Sequence, residues 1–208
     1  MIDIIYKAVI NGIIIGIFVS APMGPIGVMC IQRTLKKGRW HGFVSGVGAA
    51  LSDLVYASIT CLGMGIIVDF VEANEFVLKI IASILMMLFG FYTFQSNPSK
   101  SLQKPKEGGN KLSQYAITAF LLTLSNPSII IYYIPLFVQF NFIDARHTLY
   151  SIIIGLLSIM IGALGWWFLV TTLVGKLRTI INVRGLWIIN KVAGIIIIIL
   201  SLSLIFFI

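Results

Sequence analysis

"SAPMGPIG", Ser20 to Gly27, interrupts an apolar run that begins at Ile4 and continues past Ile31. Proline lacks the N–H that a helix interior needs, and glycine is a poor helix former, so one continuous helix is not expected through this stretch. The run around it is long enough to cross a bilayer, whose hydrocarbon core of about 30 Å requires about 20 apolar residues. Breaking a helix there is costly. The freed N–H and C=O groups must be buried in protein or line a wet cavity.

The rest of the chain supports the membrane reading. Of 208 residues, 59% are hydrophobic and 11% charged, and the mean hydropathy is +1.03. Soluble domains are closer to half apolar and about a quarter charged. Apolar runs predict an all-α integral membrane protein with spans near 5–31, 41–67, 76–95, 115–139, 148–173 and 187–207. The Lys/Gly-rich segment "NPSKSLQKPKEGGNKLS" divides them into a first three-helix half, 1–95, a cytoplasmic linker, 96–114, and a second three-helix half, 115–208. The whole reads as a single membrane transporter domain. "FVSA", ending at Ala21, loosely matches a signal-peptide cleavage site, but Asp3 precedes the lone Lys7 and the apolar stretch is too long. It reads as the first span.

The net charge of +8 could suggest nucleic acid. The cations instead cluster between apolar runs, as loops flanking spans do. Arg33, Lys36, Lys37 and Arg39 fall in loop one, Lys100, Lys104, Lys106 and Lys111 in loop three, and Lys176, Arg178, Arg184 and Lys191 in loop five. Only Lys7, Lys79 and Arg146 fall on the other side. The positive-inside rule makes loops one, three and five cytoplasmic and puts both termini outside. Trp40, Tyr115 and Trp187 lie near the cytoplasmic boundaries, where interfacial aromatics are expected.

The opening break has a counterpart. "FVSAPMGP", Phe18 to Pro25, and "FLLTLSNP", Phe120 to Pro127, both place Phe seven residues before Pro, and each Pro follows Gly24 or Asn126. A residue tolerant of left-handed backbone followed by proline reads as a helix stop and restart. Three spans per half put the halves in opposite orientations, and paired breaks in inverted halves point to a transport site built from half-helix ends. Pro22, Gly24, Pro25, Asn126 and Pro127 are thus candidate substrate-binding positions. A proline kink kept for packing is the competing reading.

Asp53 is the one acid well inside a span, and a charge at the bilayer centre costs about 3 kcal/mol on insertion scales. It shares a face with Gly42, Gly46, Ala49, Ala57 and Thr60, small residues that let a neighbouring helix approach, so it is expected to face the bundle interior. It could carry a proton or cation, pair with a substrate ammonium, or serve only as an internal hydrogen-bond partner. Tyr56 could share its pocket. Half-helix N-termini suit a carboxylate, so the set fits a small zwitterion such as an amino acid.

No His-based catalytic group or metal cluster is visible, because His41 and His147 fall on opposite sides, and no cofactor is implied. A rival function uses Cys30 and Cys61 in thiol–disulfide electron transfer, but their depths place them too far apart for a disulfide. Tyr132 and Tyr133 could line the site or pack the core.

These segments carry a resemblance. "GIFVSAPMGPIGVMCIQRTLKKGRWHGFVSGVGAALSDLVYA", "AITAFLLTLSNPSIIIYYIPLF" and "WIINKVAGIIIIILSLSLI" resemble, in order, segments of the LysE/RhtB family of amino-acid exporters. The Asn126-Pro127 pair matches the family's Asn-Pro in span four. Members often read Pro-Gly-Pro and then a polar residue in the first break, where this chain has Met23-Gly24-Pro25-Ile26. Members often have Lys after the Asn-Pro, where it has Ser128. The resemblance implies six spans in a bacterial inner membrane and export of amino acids or similar metabolites, driven by the proton gradient. The small-residue faces would serve a homodimer interface as readily as packing within the bundle.

Overall fold

The computed structural model describes residues 2–22, 25–66, 73–95, 111–126, 129–142 and 148–176, with 188, 191–192, 194–199 and 201–202 of the last segment. Gly24, Pro127, most of the linker and much of the sixth expected span lie outside the described residues. The elements are α1 (Ile2–Ser20), α2 (Pro25–Lys37), α3 (Arg39–Ile66), α4 (Glu75–Gln95), α5 (Leu112–Leu124), α6 (Ile129–Gln139) and α7 (Leu149–Lys176). All regular structure among the described residues is helical.

Both expected breaks are present. α1 stops at Ser20 and α2 starts on Pro25, at the first helical position, where a missing N–H costs nothing. α5 and α6 meet at a bend of 78°. Among the described residues three helices, α1, α3 and α7, are long and apolar enough to cross a membrane, and the bent α5–α6 pair makes a fourth if it is one span. The apolar stretch of α4, Phe76–Tyr92, is shorter.

Lipid-facing and inward-facing positions separate cleanly along α3. Gly42, Gly46, Ala49, Asp53, Ala57 and Thr60 are all buried, as their spacing predicts. Leu51, Val55, Ile59 and Leu62 recur on the opposite face, Leu62 with 72% of its surface exposed. Meanwhile Ser45, Ser52, Ser83 and Thr171 are buried. An apolar exterior around a partly polar interior is stable in hydrocarbon, where packing and interhelical hydrogen bonds hold helices together.

α1 runs along α7 and α5 along α3, while α2 packs on α3 and α7, and α6 on α4, α3 and α1. The α1–α7 pair is in backbone contact. A Cβ at Gly16 would meet the carbonyl oxygen of Ile159, and one at Gly162 that of Ile13. The turn from α2 to α3 uses a single residue, Gly38, at φ 99°. Its N–H donates to the Thr34 carbonyl at 3.0 Å, closing α2 with the left-handed residue that glycine supplies without strain.

The first loop is shorter than the sequence reading has it. Arg33, Lys36 and Lys37, counted with that loop, lie in α2, Arg39 opens α3, and Arg33 is buried. The helix continues to Lys37, and its packing against α3 turns residue 33 inward, while Lys36 and Lys37 face out.

Candidate functional site

The two breaks meet the same helix. Asp53 and Tyr56 lie one turn apart on α3, and each engages the end of a different half-helix. Ser20, the last residue of α1, donates its hydroxyl to Asp53 Oδ2 at 3.3 Å. Tyr56 Oη donates to the carbonyl oxygen of Leu124, the last residue of α5, at 2.5 Å. In an uninterrupted helix that carbonyl would accept an N–H four residues on. At this helix end the phenol of Tyr56 supplies a donor to it. One turn earlier, Ser52 Oγ donates to the Phe120 carbonyl at 2.7 Å, so α3 staples α5 twice.

The second break closes partly on itself. The Asn126 N–H donates to the Thr123 carbonyl at 3.0 Å, and the Asn126 carbonyl accepts from the Ile129 N–H at 3.3 Å. The Asn126 backbone thus bridges the end of α5 and the start of α6. Its side chain is exposed, as is Pro25, and Pro22 is half-buried. Asp53, by contrast, is 5% exposed, and among the described residues no cation reaches it. Of the sequence-predicted positions, Asp53 and Tyr56 come together with both helix ends. Pro22, Pro25 and Asn126 mark the breaks, and Gly24 and Pro127 lie outside the described residues.

Tyr133 adds what the sequence left open. It is 0% exposed on α6, which packs on both α1 and α3. Its ring meets Phe137 edge-on at 5.6 Å. Its hydroxyl is buried and has no hydrogen-bond partner among the described residues. Periodicity within α6 cannot reveal this, because what surrounds the hydroxyl belongs to other helices. Tyr132 instead lines an apolar recess of about 250 Å³ with Phe18, Met86, Pro135 and Leu136.

Tyr56→Phe would leave the Leu124 carbonyl without its donor. An orphaned buried polar group costs about 1–3 kcal/mol, so the purified variant is expected to lose that much stability in a denaturant titration. An unchanged midpoint would show that the carbonyl finds another partner.

Among the described residues no group of three His, Cys, Asp or Glu residues could hold a metal. Cys30 and Cys61 are free thiols in separate buried clusters.

Similarity to known proteins fits this geometry. The family model described as LysE type translocator matches residues 17–206. A Bacillus subtilis (strain 168) protein named "Putative amino acid efflux protein YcgF" is 24% identical over 192 residues, covering 88% of each chain. An Escherichia coli (strain K12) protein named "Uncharacterized membrane protein YahN" is 25% identical over 128 residues, 59% of this chain and 56% of its own length. No solved structure matches.

Proposed function

Because the chain belongs to the LysE type translocator family, a family of transporters and not of enzymes, we propose that it exports amino acids or related small zwitterions across a bacterial inner membrane. The observation that carries this reading is the meeting of both helix breaks on one turn of α3, at Asp53 and Tyr56. A similar protein named for amino acid efflux supports it.

In this reading the half-helix ends hold a polar solute within hydrocarbon. The N-terminus of α2, after Pro22, Gly24 and Pro25, and that of α6, after Asn126 and Pro127, offer N–H groups to a carboxylate. Asp53 exchanges a proton or cation against the substrate, Tyr56 keeps the second break in place, and the recess beside Phe18 accepts an apolar side chain. Neither thiol has a part, and the separate clusters of Cys30 and Cys61 give the electron-carrier alternative no support.

Six spans in two inverted halves would make transport an alternating-access exchange, with both termini outside. Exchanging the halves turns the α1–α7 pair into the α5–α3 pair, and both pairs are packed. Gly90 of α4 and Gly194 of the last segment, the third elements of the two halves, also lie against one another. The small-residue faces leave a homodimer open.

The test loads cells with labelled amino acids as dipeptides and compares efflux with a vector control. Faster efflux of at least one amino acid is expected; equal efflux across the panel would sink the proposal. Tyr133→Phe refines it. Deleting an unpartnered hydroxyl should leave the melting temperature unchanged or raised. If the hydroxyl meets substrate, the apparent affinity should fall by about 5–10-fold, the value of about one hydrogen bond. Unchanged affinity would leave Tyr133 a packing residue.

A further inference from the structure

Toward the end of α2 that the charge pattern assigns to the cytoplasm, a guanidinium is held inside the bundle. Arg33 is 4% exposed. Its Nη1 donates to Ser45 Oγ of α3 at 2.8 Å and to the Tyr115 carbonyl of α5 at 2.9 Å. The group lies 4.9 Å from the centre of the Tyr115 ring. Lys37, one turn further on, donates Nζ to Tyr115 Oη at 2.7 Å and stands 5.4 Å from the same ring. Arg33 Nη2 is buried and has no hydrogen-bond partner among the described residues. Among the described residues no carboxylate reaches it.

That arrangement is incomplete as a purely structural one. A buried cation is tolerated when it is paired and its donors are satisfied. Here both acceptors are neutral, both sit on one nitrogen, and the aromatic face offsets only part of the desolvation. A guanidinium presents Nη1 and Nη2 as a planar fork that matches the two oxygens of a carboxylate, an interaction about twice as strong as neutral hydrogen bonds.

The position also matters. Arg33 follows Pro25 by eight residues on α2, and its partner Ser45 precedes Asp53 by eight on α3. At 1.5 Å per residue each interval is about 12 Å. The α-carboxylate and α-ammonium of one amino acid sit on the same carbon and cannot reach Arg33 and Asp53 together, so Arg33 belongs to a different station from the one at the breaks.

Resting on the export reading above, we infer that Arg33 is the receptor for the carboxylate of an amino acid entering from the cytoplasm. The carboxylate takes Nη1 and Nη2 together, and the Tyr115 carbonyl is the acceptor it displaces. Displacement removes one of the two hydrogen bonds from α2 to α5, leaving Lys37 on Tyr115 Oη; these helices belong to opposite halves, so occupation of this station is coupled to loosening the halves at this end.

The experiment uses inverted membrane vesicles, which present the cytoplasmic face, and the twenty labelled L-amino acids. For each one taken up, KM is compared between wild type and Arg33→Lys, which keeps the charge and loses the fork. The decarboxylated amine of the same amino acid serves as competitor. Arg33→Lys is expected to raise KM about tenfold, more than it lowers the maximal rate. The amine should compete at least tenfold less well than the amino acid against wild type. Equal KM in the two proteins, or an amine that competes as well as the amino acid, would overturn the inference and leave export standing. Anionic lipid that copurifies with wild type but not with Arg33→Lys, at equal KM, would give Nη2 to a phosphate instead. Uptake of none of the twenty would remove the export reading and this inference with it. If Arg33→Lys fails to accumulate, the competition on wild type decides alone.

Discussion

Asp53→Asn is expected to abolish concentrative efflux while leaving the protein folded. The amide has the carboxylate's shape and can still accept the Ser20 hydroxyl, bonded at 3.3 Å in the native protein. It removes a charge that is 5% exposed and that no cation among the described residues balances. Burying an amide costs less than burying a carboxylate, so the melting temperature should hold or rise. Function should move the other way. A hydrogen bond to a charged group contributes about 1.5–3 kcal/mol, or roughly 10–150-fold in affinity. Proton exchange at this position is lost outright.

Two assays separate the roles of the carboxylate. If it only carries a proton, Asp53→Asn should still exchange internal for external substrate while failing to concentrate it. If it binds the substrate ammonium, exchange should fall as well. Wild-type rates in both assays would remove Asp53 from the mechanism and leave it an internal hydrogen-bond partner of Ser20.

Gly16→Val is expected to prevent accumulation of folded protein. A Cβ at residue 16 would be driven into the Ile159 carbonyl and crowd the Ala163 nitrogen, atoms of the α7 backbone that cannot rotate away. Overpacking a tight interior costs about 1–3 kcal/mol when side chains can adjust, and here α1 would have to separate from α7. Gly165→Val on α7 is the control, because a Cβ there meets nothing within 4 Å. Size-exclusion chromatography of the detergent-solubilised variants should show aggregated or absent Gly16→Val and a native peak for Gly165→Val. A native peak for both, with equal melting temperatures, would mean that the two helices are not packed as described.

The features legible in the sequence share one property: each is carried by a continuous stretch of chain. Pro25 at the start of a helix and the stop near Asn126 follow from what proline does to its own turn. The buried face of α3 follows from small residues at helical spacing, and Asp53 could be placed on it without knowing its neighbour. Arg33 shows where that reasoning stops. Charge counting treats every lysine and arginine near a span end alike, and nothing local separates Arg33, buried, from Lys36, exposed. Tyr133 is ambiguous for the same reason, since a tyrosine in an apolar helix looks alike whether or not its hydroxyl finds a partner.

Thus the sequence by itself determined that the chain is a membrane protein, that two of its helices break, and that one acid faces inward. Composition, backbone chemistry and the 3.6-residue period act over a few turns and need no partner. Only the tertiary structure decided that Ser20 meets Asp53 across 33 residues and that Tyr56 meets the Leu124 carbonyl across 68. Those pairings depend on how far one helix slides and rotates against another. That is set by backbone contacts such as Gly16 against Ile159 and by side chains interlocking along whole helix faces, a property of shapes in three dimensions that no local pattern records.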